Sequence, residues 1–223
     1  MKKILCLQTG ILQVNTYILK LNETEAIIVD PGGSFSEIKE LLTKEQLSLK
    51  ACLLTHTHFD HIGAVGDVLS EFSECLLYVH KNEAFYIGKN ARQNQLKDFG
   101  IGVIGAYIKK TMPASLPEPD VLLDGGEILF EDSSNFNGGF IVLHTPGHSV
   151  GSICLYCKAE NLLISGDTLF ANACGRTDFK GGSETEMRKS LKKLYEFPSE
   201  TIVASGHGEI SLLRDITKMQ FFL

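Results

Sequence analysis

The 223-residue chain carries a net charge of −6, with 43% hydrophobic and 22% charged side chains, the balance of a globular protein with a sizeable core. That balance argues against a nucleic-acid surface, which would show a basic stripe. No stretch approaches the ~20 apolar residues of a membrane span, and Gln8, Gln13 and Asn15 interrupt the apolar start that a secretory leader would need, so a cytoplasmic protein is expected.

Residues 2–8, 14–21 and 25–30 are rich in Ile, Leu, Val and Tyr and predict three strands. Pro31-Gly32-Gly33 ends the third. Ser34-Phe35-Ser36-Glu37 has the spelling of a capping box and predicts a helix running to about Leu47. A strand at 49–54, a polar turn, a helix from about Ile62 to Phe72 and a strand at 75–79 follow. Residues 81–120 are less regular. Helices are expected at 83–87 and 91–99, Gly100, Gly102, Gly105, Pro113, Pro117 and Pro119 loosen the chain beyond them, and 81–120 as a whole is expected as an irregular covering segment.

From Val121 the pattern returns to short strands, at 121–123, 127–130, 139–144, 152–157 and 161–165. Ser183-Glu184-Thr185-Glu186 is a second capping box, opening a helix to about Phe197. A strand at 201–204 and a closing helix from about Ile210 to Met219 complete the chain. Strands followed by helix in both halves predict a duplicated α/β arrangement. Two mixed sheets would pack face to face with helices outside, in a single domain spanning 1–223. The cysteines, Cys6, Cys52, Cys75, Cys154, Cys157 and Cys174, fall mostly in apolar runs and are expected as buried free thiols. Cys154 and Cys157 spell CxxC, but in a strand residues three apart face opposite sides, so no redox or zinc role is expected.

The chemistry concentrates in Thr55-His56-Thr57-His58-Phe59-Asp60-His61, which holds three of the seven histidines and a carboxylate. Imidazole and carboxylate are poor core formers unless paired or metal-bound. His56 and His58 are two apart, so in an extended segment they point the same way. Such N and O donors suit zinc, iron or manganese. The second half adds His148 in Thr-Pro-Gly-His, Asp167 in Ser-Gly-Asp and His207 in Ser-Gly-His-Gly, each just past an apolar strand and beside glycine. His80 reads as a satisfied histidine at the surface or at a helix start, and His144 as a structural neighbour of His148.

Taken together and in order, these motifs resemble the metallo-β-lactamase superfamily over nearly the whole chain, and most closely its short glyoxalase-II-like hydrolases. The resemblance implies the αββα sandwich, and two divalent metals, with zinc first and iron or manganese next. His56, His58 and His148 would hold one metal, Asp60, His61 and His207 the other, and Asp167 would bridge them. It further implies a small-molecule thioester substrate of the hydroxyacylglutathione type; no nucleic-acid or membrane partner is expected from the charge and hydropathy, and a monomer or small homo-oligomer is expected.

A shared hydroxide would attack the thioester, with Asp60 orienting it or taking its proton. Asp30, in Val-Asp-Pro-Gly, resembles the family's first-strand aspartate, a partner of the ligands, although a turn role suits it equally. Arg176, after Cys174-Gly175, could hold a substrate anion or form an ordinary salt bridge. The stretch after His207 is shorter than the helical glutathione-binding extension of true type II glyoxalases, which leaves the thiol carrier open. Dinuclear zinc β-lactamases usually place a cysteine where Asp167 stands, so β-lactam hydrolysis is not expected. An iron-dependent persulfide dioxygenase, which keeps the same letters, is the alternative; a non-catalytic metal scaffold is a third reading.

Overall fold

The computed structural model describes residues 3–216. The chain forms two compact units, divided in sequence between Leu122 and Leu123.

In the first unit, β1 (Ile4–Thr9), β2 (Val14–Lys20) and β3 (Glu25–Val29) form an antiparallel run. Helix α1 (Phe35–Lys44) leads into β4 (Ser48–Leu53), which pairs parallel with β3. Helix α2 (Val65–Glu71) leads into β5 (Leu76–His80), parallel to β4. The order β1-β2-β3-β4-β5 is completed by β6 (Val121–Leu123) at the edge. All seven residues of β2, and the last four of β3, are buried. β3 therefore reads as a near-continuous apolar run, whereas β2 also buries Asn15, Thr16 and Lys20. Between β5 and β6 lie a 3₁₀ helix (Lys81–Tyr86), α3 (Ala91–Phe99) and α4 (Gly102–Thr111).

In the second unit, β7 (Ile128–Leu129), β8 (Phe140–His144), β9 (Ile153–Cys157) and β10 (Leu162–Gly166) run antiparallel in sequence order. Helix α5 (Glu184–Leu194) precedes β11 (Ile202–Ser205), parallel to β10, and β12 (Ser211–Leu212) closes the edge. Helix α5 buries Met187, Leu191 and Leu194 in a core with Leu143, Tyr156, Leu163 and Val203. Its N-cap is Ser183, whose Oγ accepts from the Glu186 N–H at 3.3 Å, a cap of the kind that contributes roughly 1 kcal/mol.

Several expectations need correction. Ser34 stands at the N-cap of α1, but its hydroxyl pairs with Ser36 Oγ at 2.7 Å and caps no backbone N–H. The helix expected from Ile62 begins only at Val65; Ala64 is its N-cap, with a non-helical backbone and its N–H donated to Pro31 O at 2.8 Å. Helix α4 forms in spite of its glycines. Gly105 is needed there, since a Cβ would strike the Gly100 carbonyl. The closing helix is replaced by β12, paired with Ile202 and Val203, and a 3₁₀ turn (Leu213–Asp215); its remainder, from residue 217, lies outside the described residues.

Cys52, Cys75, Cys154 and Cys157 are buried as expected, but Cys6 is exposed and Cys174 half-buried. Burial pushes the Cys75 thiol up to about 12 and the Cys154 thiol to about 11. Both are neutral and unreactive at pH 7. No helix among the described residues is long and apolar enough to cross a membrane.

Two glycines bring the turn after β3 against the histidine turn. A Cβ on Gly32 would run into the Asp60 carbonyl, and one on Gly63 into the Gly32 carbonyl. Gly63→Ala should therefore lower stability by about 1–3 kcal/mol, the usual cost of overpacking. The midpoint of urea unfolding reads this, and an unchanged midpoint would show that the turn yields.

Candidate metal centre

The first unit presents His56, His58, Asp60 and His61 on the loop between β4 and α2. His56, His58 and His61 are buried, and Asp60 is half-buried. The His56 ring centroid lies 4.7 Å from that of His58 and 4.1 Å from that of His61. Asp30, at the end of β3, is also buried. One ligand atom from each of Asp30, His56 and His61 lies within 4.8 Å of the others.

Hydrogen bonds from Thr55 and His61 organise this loop around Asp30. The Thr55 N–H donates to Oδ1 at 2.8 Å, and the Thr55 hydroxyl to Oδ2 at 2.6 Å. His61 Nδ1 lies 3.0 Å from Oδ2. His56 Nδ1 lies 3.1 Å from Thr55 Oγ1. Threonine has one hydroxyl proton, and here it goes to Asp30, so Thr55 Oγ1 accepts from His56. Both His56 and His61 thus carry their proton on Nδ1, which leaves Nε2 as the ring's lone-pair nitrogen. Asp30, at its turn, thus also bonds the loop that carries the candidate ligands.

The second unit repeats the device. His148 Nδ1 lies 2.8 Å from the Arg176 carbonyl oxygen, an obligate acceptor, which leaves its buried Nε2 as the lone pair. Asp167 Oδ2 lies 3.6 Å from His148 Nε2 and 3.6 Å from His207 Nε2. One carboxylate oxygen thus stands equally near two imidazoles. A Cβ on Gly175 would fall on the Asp167 carbonyl and the His148 ring, so only glycine lets this loop close. His207 is half-buried, and Ser205 Oγ donates to its carbonyl at 2.7 Å.

Arg176 contributes its carbonyl to His148, while its guanidinium is engaged within its own loop. Nε and Nη2 each donate to Asp178 at 2.6 Å, and Cζ sits 3.9 Å over the Phe179 ring. His144 Nε2 lies 3.0 Å from the Val150 carbonyl. His80 is buried rather than at the surface, and its Nδ1 accepts the Asn82 N–H at the start of the 3₁₀ helix. Sequence reasoning missed Glu83 and Gln95, which bond Thr57. No local signal marks a Glu as buried when its partner lies 26 residues away.

The donor sets, imidazole nitrogen and carboxylate oxygen with Nδ1 already committed on three histidines, fit divalent metals. The chain belongs to the metallo-β-lactamase superfamily, whose family model matches residues 9–207. A Bacillus subtilis protein named Probable metallo-hydrolase YqgX is 36% identical over 203 residues, 89% of this chain and 87% of its own. The hydroxyacylglutathione hydrolase GloC of Haemophilus influenzae is 30% identical over 213 residues, 95% of this chain and 93% of its own. Among crystal structures, BLEG-1 B3 metallo-beta-lactamase matches at 37% identity and a TM-score of 0.79, covering 95% of both chains. TTHA1623 in a di-iron-bound form matches at 32% and 0.78, covering 95% of this chain and 96% of its own. The two mixed sheets with their helices are thus the metallo-β-lactamase fold.

The Arg176–Asp178 pair has a measurable signature. The guanidinium holds the Asp178 carboxyl down at about 2. A depressed carboxyl stabilises the fold above its unfolded value of about 3.9, and the gain is lost as pH falls through the folded value. An NMR titration of the Asp178 carboxyl should give a midpoint near 2, returning toward 3.9 in Arg176→Ala. A wild-type midpoint near 3.9 would mean that the pair does not form in solution.

Proposed function

We propose that the protein is a dinuclear metal-dependent hydrolase of small thioesters. In this reading His56, His58 and His148 would hold one metal, Asp60, His61 and His207 the other, and Asp167 would serve both. The observation that carries it is Asp167 Oδ2, equidistant at 3.6 Å from His148 and His207, the disposition of a carboxylate shared between two ions. Zinc is the first expectation. The di-iron form of TTHA1623 supports a two-metal centre and keeps iron as the alternative.

When bound, such metals lower the pKa of a coordinated water to about 7 and stabilise charge on a carbonyl oxygen. Asp60 orients the attacking water through its carboxylate and receives its proton. The water oxygen bonds to the acyl carbon, the C–S bond breaks, and sulfur leaves with the electron pair as a thiolate. Thiolates leave readily, so no strong general acid is required. The name of GloC supports an acyl-thiol substrate. For Arg176 to bind an anionic group of the carrier, the substrate must share its guanidinium with Asp178.

Two other readings compete with this one. The alternative of a mononuclear iron persulfide dioxygenase would leave the second ligand set without a use, since such an oxygenase needs open positions on one iron. The 37% identity to BLEG-1 favours β-lactam hydrolysis. One panel separates them: metal analysis, hydroxyacyl-thiol cleavage, nitrocefin hydrolysis, and oxygen uptake with glutathione persulfide. Two metals per chain with thioester cleavage are expected, and Asp60→Asn should lower the thioesterase kcat by on the order of 10²-fold. Oxygen uptake by the iron-loaded protein, or nitrocefin turnover without thioester cleavage, would replace this reading.

A further inference from the structure

Glu83 is 1% exposed. A buried carboxylate is costly unless hydrogen bonds compensate it. Its Oε2 accepts the Thr57 N–H at 3.1 Å and the Thr57 hydroxyl at 2.5 Å. From the next helix, the buried Gln95 donates Nε2 to the Thr57 carbonyl. Thr57 is the single residue between His56 and His58. Its N–H belongs to the peptide joining it to His56, and its C=O to the peptide joining it to His58. Both peptide planes between the two histidines are therefore held by side chains from the segment after β5.

That segment is itself braced. Asn94 Nδ2 donates to the Phe85 carbonyl at 2.6 Å, and Tyr86 OH to Asp98 Oδ2 at 2.9 Å. Phe99, at the end of α3, meets the His58 ring edge-on at 4.8 Å between centroids.

We propose that Glu83 and Gln95 are positioning residues for the first metal. They clamp Thr57 from both sides and so fix the spacing and aim of His56 and His58. The segment expected to cover the site is, on this view, part of its support. The inference rests on His56 and His58 being metal ligands, as proposed above, and needs no particular substrate.

The test is cobalt(II) titration of the metal-free full chain against a competing chelator, read by the visible absorption of the bound cobalt. His56→Ala should lose the tightly bound ion. Glu83→Leu fills the space but offers no acceptor, and should weaken the first cobalt by about 10–100-fold, the usual cost of losing such a partner. It should also shift the cobalt bands. Glu83→Gln, whose amide oxygen can accept the same two bonds, should recover most of that loss. Gln95→Leu should weaken cobalt in the same direction. Thr57→Val and Glu83→Leu should be non-additive if they act through one contact.

Wild-type affinity and spectrum in Glu83→Leu, with only a lowered melting temperature, would overturn the clamp while His56→Ala still upholds the ligand assignment. Should Glu83→Leu fail to fold, wild-type affinity in Gln95→Leu would overturn it equally. Wild-type binding in His56→Ala would remove the ligand assignment, and the clamp with it.

Discussion

The carboxylate of Asp30 is the contact on which the first half of the site depends. It is 2% exposed and accepts hydrogen bonds from Thr55 and His61. Its backbone has a φ of 51°, uncommon outside glycine but best tolerated by Asn and Asp. Thr16 Oγ1 donates to the Asp30 carbonyl at 2.7 Å and lies 3.0 Å from Thr9 Oγ1. A row of hydroxyls on β1 and β2 thus holds the turn that aims the carboxylate. Neutralising Asp30 would therefore disturb more than one bond, because buried polar networks act together.

The interleaved spelling Thr-His-Thr-His follows from this arrangement. In an extended segment alternate residues face opposite ways. The histidines take one side, and the two threonines turn to buried acids, Thr55 to Asp30 and Thr57 to Glu83. In the second unit the support comes from backbone instead. The Ser183 N–H donates to the Gly147 carbonyl at 2.8 Å, and Ser190 Oγ to the Pro146 carbonyl at 2.7 Å, so α5 fixes the turn that carries His148. A Cβ on Gly147 would strike the backbone of Met187, which explains the glycine there.

How much of this was legible in the sequence depends on where each residue's partner lies. The strands other than β12 were readable because apolar runs and turn residues are local signals, and their bounds are reproduced within one or two residues. The burial of His56, His58 and Asp167 was to be expected, because ligand-type side chains just past apolar strands have few other uses. Helix α4 was hidden because its glycines look like breaks. Gly105 is there for close approach to Gly100, a packing fact that composition cannot express. Glu83 was hidden for the opposite reason: a glutamate near charged neighbours reads as surface, and only the fold puts Thr57 against it. Ser34 and Ser183 have the same spelling, yet only Ser183 caps its helix, because Ser34 finds a nearer hydroxyl in Ser36.

The fixed protons also define the donors of the proposed metal centre. With Nδ1 of His56, His61 and His148 each committed to an oxygen, the donors left to an ion are Nε2 lone pairs and carboxylate oxygens. Hydrogen bonding through Nδ1 raises the basicity of Nε2 and orients the ring before any ion arrives. The proposed ligand set contains no thiolate, so nothing in it selects for the softer ions that sulfur prefers. Zinc, iron and manganese then compete on geometry and supply rather than on ligand softness. The supporting hydrogen bonds are the part of the site that could tune geometry, because they set how far each Nε2 can follow an ion of a different size. Thr57 is the tightest of these restraints, being held on both of its peptides, and His58 beside it is further confined by Phe99.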